Sequence, residues 1–446
     1  MVRSNRRQFL KRSGETVLVT AAAAWSVPRV HAAGSDRVVV GIIGVGGMGN
    51  SHLEKICESS SAVELAYLCD VDSQRLETAA QLVQDKLGQR PKTTGDMRMV
   101  LEDARVAAVF VATPDHWHAP ATILACEAGK HVYVEKPCSH NVREGRLMLE
   151  AARKHQRVVQ VGTQSRSTAF IREAIELVQQ GKIGDVLTVK VTNSQRRTAI
   201  GKSTPSAPPE HLAYDAWIGP TPMVPFRKNV VPGRWRWWYN FGTGDMGNDG
   251  VHDIDLAWWA LGVETHPTRV TALGGRYYFD DDREFPDTQT VICEYPSASG
   301  GQTKQLIYEQ RDWSPYNEKG FSNGFTIYGT KGYLDLGHGV GYRFFGENDT
   351  LLQSRIVSGL GGAADLAAHH RNFLDCIRSG ERPNADIEIG HRSATICHLG
   401  NIATRVGRVL NFDPVQEKIV GDEESARLIR REYRAGHWAV PRGAEA

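Results

Sequence analysis

Over residues 37–162 short apolar runs alternate with stretches of helical spacing. Strands are expected at 37–43, 63–69, 106–112, 131–134 and 157–162, with helices at 50–58, 73–87, 120–128 and 142–155 between them. The run at 106–112 is apolar without alternation, the mark of a strand covered on both faces. A strand–helix–strand series of this kind builds a parallel, doubly wound sheet. Beyond residue 162 the pattern changes. Residues 185–193, 268–274, 288–295, 305–309 and 325–329 read as strands in series, separated by Gly, Pro and Asp clusters. Such a series predicts a large, mostly antiparallel open sheet, with helical stretches at 364–379 and 393–407 covering its faces and edges. The expected fold class is α/β: a doubly wound parallel sheet over 34–160, then an α+β domain over 161–446.

Residues 1–33 stand apart. Arg3, Arg6, Arg7, Lys11 and Arg12 precede an apolar stretch at 16–27 and a small-residue site around 31–33. Basic, apolar and small-residue segments in that order make an export signal, to be set aside from the fold. Arg6 and Arg7 resemble the pair of a twin-arginine signal, which implies a folded protein exported to the periplasm with its cofactor loaded. No apolar run reaches the roughly 18 residues of a membrane-spanning helix.

Composition narrows the function classes. With 41% hydrophobic and 23% charged residues the chain is not disordered, and a net charge of +2 excludes a general nucleic-acid binder. The 7 cysteines include no C-x-x-C pair, so neither a disulfide framework nor a zinc ribbon is expected, and they read as buried small hydrophobes. No metal-ligand cluster is evident. His116 with His118, and His369 with His370, are suggestive pairs, but adjacent His369 and His370 would point apart on a helix.

Directly after the first expected strand comes Gly44-Val45-Gly46-Gly47-Met48-Gly49, a G-x-G-x-x-G turn leading into a helix. This is a Rossmann dinucleotide fingerprint. Gly44 permits the tight turn, Gly46 lets the backbone approach a pyrophosphate, and Gly49 lets helix and strand pack closely. Gly47 and Met48 complete the loop against the phosphates. Asp70 ends the second strand 21 residues beyond Gly49, where an acid takes the adenosine ribose hydroxyls. An acid there favours NAD over NADP, although Arg75 stands close by. The alternative reading of Asp70 is a cap on the helix over 73–87.

Two further motifs follow strand ends: Thr113-Pro114-Asp115-His116-Trp117-His118, and Gly129-Lys130-His131-Val132 leading to Glu135-Lys136-Pro137. Together with Gly162-Thr163-Gln164-Ser165-Arg166 and the segments at 372–380 and 390–393, they resemble the glucose–fructose oxidoreductase/inositol dehydrogenase (Gfo/Idh/MocA) family over nearly all of the chain beyond the signal. The resemblance implies an NAD(P)-dependent oxidoreductase moving hydride between a tightly held cofactor and a secondary alcohol of a sugar, glycoside or cyclitol. It places Thr113, Pro114, His118, Glu135, Lys136 and Gln164 at the cofactor, and makes Lys136 and His252 catalytic. Facing a cationic nicotinamide in a dry cleft, a lysine ammonium is disfavoured, so the amine can accept a proton. The resemblance also places Lys136, Arg166, Asn248, Asp249 and His252 at the substrate. Asn248 stands where the family has Asp, so any carboxylate partner of His252 must be Asp249, Asp253 or Asp255. A homodimer or homotetramer is implied as well.

Residues 198–209 read as a surface loop. The segment 234–241 gathers aromatic rings just ahead of His252, and Trp235 and Trp238 are candidates to stack on a sugar face, or else to fill a core or interface. Export makes free NAD turnover awkward, so tight retention of the dinucleotide is expected. The same parts serve a second reading, an NAD-dependent glycosidase working by transient C3 oxidation and elimination, as in some exported relatives. A third reading is a non-enzymatic binding protein, supported only by Asn248.

Overall fold

The computed structural model describes residues 37–296, 301–337, 340–357 and 365–444; the export signal expected at 1–33 lies outside them. The first layer is a six-stranded sheet in the order β3–β2–β1–β4–β5–β6. Its strands are β1 (Val38–Ile43), β2 (Val63–Cys69), β3 (Lys92–Thr94), β4 (Ala108–Val111), β5 (His131–Val134) and β6 (Val159–Val161). Every pairing is parallel. Helices α1 (Gly47–Glu58), α2 (Ser73–Leu87), α3 (Met97–Glu102), α4 (Asp115–Glu127) and α5 (Val142–Lys154) are the crossovers. Strand order reverses between β1 and β4, which opens a crevice at their carboxyl ends.

Three local differences from the expected pattern have physical causes. Strand β3 is an edge of short polar residues, exposed at two of its three positions, and carries no apolar signal. Helix α1 begins at Gly47 because the last glycines of the turn are already helical. Helix α4 begins at Asp115, well before the expected 120, and runs through Pro120. Pro120 cannot donate to the carbonyl of His116, and Arg431 supplies that bond instead, from Nη2 at 2.7 Å.

The second layer is a ten-stranded sheet in the order β14–β13–β12–β11–β7–β10–β9–β8–β15–β16. Strand β7 (Val186–Asn193) lies near its middle, parallel to β10 (Lys304–Arg311) and antiparallel to β11 (Asn323–Gly329). Strands β8 (Arg269–Gly275) and β9 (Thr288–Tyr295) continue one wing, followed by the hairpin β15 (Leu410–Asp413) and β16 (Lys418–Val420). On the other wing are β12 (Gly332–Gly337), β13 (Gly341–Phe345) and β14 (Leu351–Ile356). The sequence pattern does not reveal the five outer strands: β14 is exposed, β15 and β16 are short, and β12 and β13 are buried runs that begin on glycine.

Helices α6 (Ala169–Gln179), α7 (Val251–Leu261) and α9 (Ile387–Val406) bury one face of this sheet in a shared core that includes Ile254, Leu256, Tyr308, Phe325 and Leu399. Helix α9 also packs on α5, and α8 (Leu366–Ser379) lends Phe373 and Leu374 to the first sheet's core. The two layers are thereby tied together. All seven cysteines are buried and free. Among the described residues no helix is long and apolar enough to cross a membrane.

Candidate active site

A cleft of about 620 Å³ lies at the carboxyl ends of β1, β2, β4 and β5, walled opposite by residues 212–236 and by Asn248. At its floor Gly44 holds φ +89°, and a Cβ there would lie 2.7 Å from the carbonyl oxygen of Ala112. A Cβ on Gly49 would lie 2.0 Å from the carbonyl oxygen of Gly44, so the helix–strand approach admits only glycine. A Cβ on Gly47 would point into open space, and one on Gly46 would meet only the tip of Arg75. Gly46, Gly47 and Met48 line the cleft, and no side chain caps α1. The open N–H groups at that helix start form a cradle for a pyrophosphate.

Asp70 lines the same cleft. Its carboxylate accepts from the N–H of Val45 at 2.8 Å and of Asp72 at 2.9 Å. Burial pushes its carboxyl up, and these N–H groups oppose the rise. The cap of α2 is Asp72, which accepts from the N–H groups of Gln74 and Arg75 at 3.0 and 3.1 Å. Asp70 is thus not the cap. It braces the glycine turn, and Arg75 leans on Asp72 at 3.5 Å. These residues fit a dinucleotide: an open phosphate cradle beside an acid at the ribose position.

The other end of the cleft is built by β4 and β5. Thr113 and Pro114 line it, and His118 stands between two carbonyl oxygens, Pro137 at 2.6 Å and Thr113 at 2.8 Å. Lys136 follows β5 and donates from Nζ to the carbonyl oxygen of Asn248 at 2.8 Å. Beneath it, Glu135 Oε1 meets His52 Nε2 at 3.0 Å and the amide of Gln164 at 3.1 Å. Burial opposes ionisation of Glu135, yet His52, with the charges of Lys136 and His252, brings it down to about 2. Gln164 does not line the cleft; it steadies Glu135.

Asn248 sits in a π-helical turn, Met246–Gly250, that leads into α7. Its amide donates to Asp245 at 3.0 Å, and Arg197 pairs with Asp245 at 2.8 Å and with Asp249. Burial would raise Asp249, but Arg197, Lys136 and His252 hold its carboxyl below the ordinary range. Of the three acids offered by spacing as partners of His252, Asp249 is one whose charge faces both His252 and Lys136. Asp255 is committed elsewhere, to Arg166 at 2.6 Å and Ser393 at 2.5 Å.

That pairing corrects the expectation for Arg166. It is buried under Trp259, with its guanidinium 4.9 Å from the ring, and does not line the cleft. Trp235 lines the cleft, whereas Trp238 turns away and donates from Nε1 to the carbonyl of Asn229 at 3.1 Å. His369 and His370 part as expected, His369 to Ser167 at 2.7 Å and His370 to His52 at 2.9 Å. Sequence reasoning missed Asp115 and Trp217, which line the cleft, and did not single out Arg236 within the segment 234–241, which lines it too. Asp115 accepts from Thr243 Oγ1 at 2.7 Å; burial pushes its carboxyl up, against the charges of His118, Lys136 and Arg236. Its place directly after a strand end was a usable signal.

Far along the sequence from one another, His266 and His391 converge on Glu417, each with Nε2 2.9 Å from Oε1. No sequence spacing reveals this group, which has the make-up of a metal-ligand set. Arg146 also binds Glu417, so the carboxylate already has a cation, and the cluster works as a clamp between α5, α9 and the β15–β16 turn.

Comparison with known proteins places this geometry. Residues 38–163 match an oxidoreductase family with an NAD-binding Rossmann fold; residues 222–335 and 331–440 match that family's C-terminal domains. An inositol 2-dehydrogenase of Salmonella typhimurium is 28% identical over 176 residues, 39% of this chain and 51% of that protein. A glycosyl hydrolase family 109 protein of Shewanella pealeana is 30% identical over 203 residues, 41% of this chain and 44% of that protein. The chain thus spans about half the length of these two relatives. The crystal structure of an aldose–aldose oxidoreductase from Caulobacter crescentus, complexed with glycerol, superposes with a TM-score of 0.64 at 20% identity, covering 84% of this chain and 100% of that one. Glycine turn, strand-end motifs and both sheets agree: the chain belongs to the Gfo/Idh/MocA family of oxidoreductases, with the NAD-binding Rossmann domain at residues 38–163.

Proposed function

We propose that the protein interconverts a secondary alcohol and a ketone on a sugar, glycoside or cyclitol, using NAD rather than NADP. The observation that carries this reading is the amine of Lys136, held against the Asn248 carbonyl in the same cleft as the open glycine turn. When bound, the dinucleotide supplies the hydride acceptor or donor. In the oxidative direction Lys136 takes the hydroxyl proton as the carbinol C–H pair departs, leaving a carbonyl. Asn248 aims the amine. Asp249 supplies the negative charge that Asn248 lacks, facing Lys136 and His252 so that the proton Lys136 takes up is balanced. His252 assists the proton transfer, and Trp235 offers a face for the sugar ring. The Asp70 carboxylate repels a 2′-phosphate, which favours NAD. Export in a twin-arginine manner accords with a dinucleotide that is retained between turnovers.

The test is mass spectrometry of the small molecule released on denaturation, then a sugar and cyclitol panel followed by reduced-nicotinamide absorbance. NAD at near one per chain, and turnover that falls about 10²- to 10⁴-fold in Lys136→Met, are expected. Absence of any nicotinamide compound, or full turnover in the variant, contradicts the reading. The glycosyl hydrolase family 109 relative favours a second reading, hydrolysis through transient oxidation. Release of nitrophenol from nitrophenyl glycosides without added NAD would select it.

A further inference from the structure

Four lysines and arginines line the cleft, and their partners differ. Arg75 rests against Asp72 at 3.5 Å, and Arg98 against Asp96 at 2.6 Å. Lys136 reaches a backbone carbonyl. Arg236 has no carboxylate within 4.0 Å among the described residues, and its buried Nε has no hydrogen-bond partner. Its guanidinium stands 5.6 Å from the ring of Trp235, which lines the cleft beside it. An arginine left without a counter-charge in a partly dry cleft is a standing receptor for an anion, since its planar fork matches a carboxylate.

Two anions could claim it. The first is the dinucleotide's own pyrophosphate, whose place is the glycine turn. There the neighbouring cation is Arg75, 3.0 Å from where a Gly46 Cβ would stand. Arg236 acts elsewhere. It lies close enough to act on Asp115, as Lys136 does, so both side chains stand at the reacting end. Asp115 is a poor counter-ion for them, because burial pushes its carboxyl up and Thr243 donates to one of its oxygens. The second anion is therefore on the substrate. A single guanidinium balances a single charge, which fits a carboxylate better than a phosphate monoester.

Resting on the redox reading above, we infer that the substrate is a sugar acid, a uronate or aldonate. Its carboxylate binds Arg236, while a secondary alcohol of the same molecule is presented to Lys136. The reaction itself is unchanged: the alcohol loses a hydride to the dinucleotide and a proton to Lys136, and the carboxylate takes no part in bond making.

The test uses the full protein with its dinucleotide in place. Turnover and thermal stabilisation are compared for uronates and aldonates against neutral sugars differing only in the acid group, and against sugar 6-phosphates. The inference expects kcat/KM for the best acid to exceed its neutral counterpart by about 10- to 100-fold, the range of a charge-assisted hydrogen bond. In Arg236→Gln that ratio collapses while dinucleotide content per chain is unchanged; Arg236→Lys keeps part of it. Equal turnover of neutral sugars, a preference for the 6-phosphates, or an unaltered ratio in Arg236→Gln overturns the inference and leaves the redox reading standing. Loss of dinucleotide from Arg236→Gln assigns Arg236 to the cofactor and also overturns it. If no sugar or sugar acid binds or reacts although NAD is present, the sugar reading itself has failed, and this inference with it.

Discussion

The two walls of the cleft are made in different ways. On the Rossmann wall each site residue follows the end of a parallel strand: Gly44 after β1, Asp70 after β2, Thr113 after β4, and Glu135 with Lys136 after β5. The strands fix where those residues stand, so short motifs suffice. On the opposite wall Trp235 and Arg236 come from a single 3₁₀ turn and Asn248 from a π-helical turn. They are held by distant partners, such as Arg197 on Asp245 and Asn401, which donates to the carbonyl of Thr243 at 2.7 Å. The first wall is written in local sequence; the second exists only once the two layers have packed.

That contrast can be broken by substitution. The largest effect is expected at Gly49→Ala, where the added carbon meets a backbone oxygen that cannot yield. A loss of about 3 kcal/mol in stability, with loss of bound dinucleotide, is expected in denaturant titration. Gly47→Ala, with open space around it, should change stability by less than about 0.5 kcal/mol. If both variants behave alike, the turn is not the rigid element described. On the opposite wall Asp249→Asn removes the charge facing Lys136 and His252. It should lower kcat about 10-fold, a modest electrostatic effect, and leave dinucleotide content intact. An unchanged kcat would remove Asp249 from the site.

The effect that is smallest at neutral pH, and grows only on acidification, concerns the seam between the walls. His116 lies 2.9 Å from the carbonyl of Trp217 through Nε2, and burial, aided by the Arg431 charge, pushes it down to about 3. As pH falls below the unfolded value of 6.5, the unfolded chain takes a proton that the folded site refuses. Stability is then lost progressively between pH 6.5 and 3, by at most about 1.4 kcal/mol per pH unit for this group. His116→Gln should make the stability–pH curve shallower over that window; an identical slope would show that the seam does not exclude the proton.

The same division explains what could be read beforehand. The first sheet apart from its edge strand β3, the strands β7 to β11 of the second, the glycine turn, Asp70 and Lys136 were legible because periodicity and strand-end motifs are local. Arg166 was misplaced because its partner, Asp255, lies 89 residues away in sequence and is itself held by Ser393. Trp235 and Trp238 could not be told apart, since which ring faces the cleft depends on Asn229 accepting from one of them. The 3.6-residue pattern likewise stopped at Pro120, because it could not foresee the Arg431 side chain that satisfies His116.

The central claim is that a nicotinamide dinucleotide lies across the glycine turn with its reacting ring beside Lys136. A crystal structure of the protein with NAD tests it most directly. The account predicts the pyrophosphate on the N–H groups at Gly46 and Gly47, with the nicotinamide ring within reach of the Lys136 amine. A dinucleotide bound elsewhere, or a ring turned away from that amine, would contradict it.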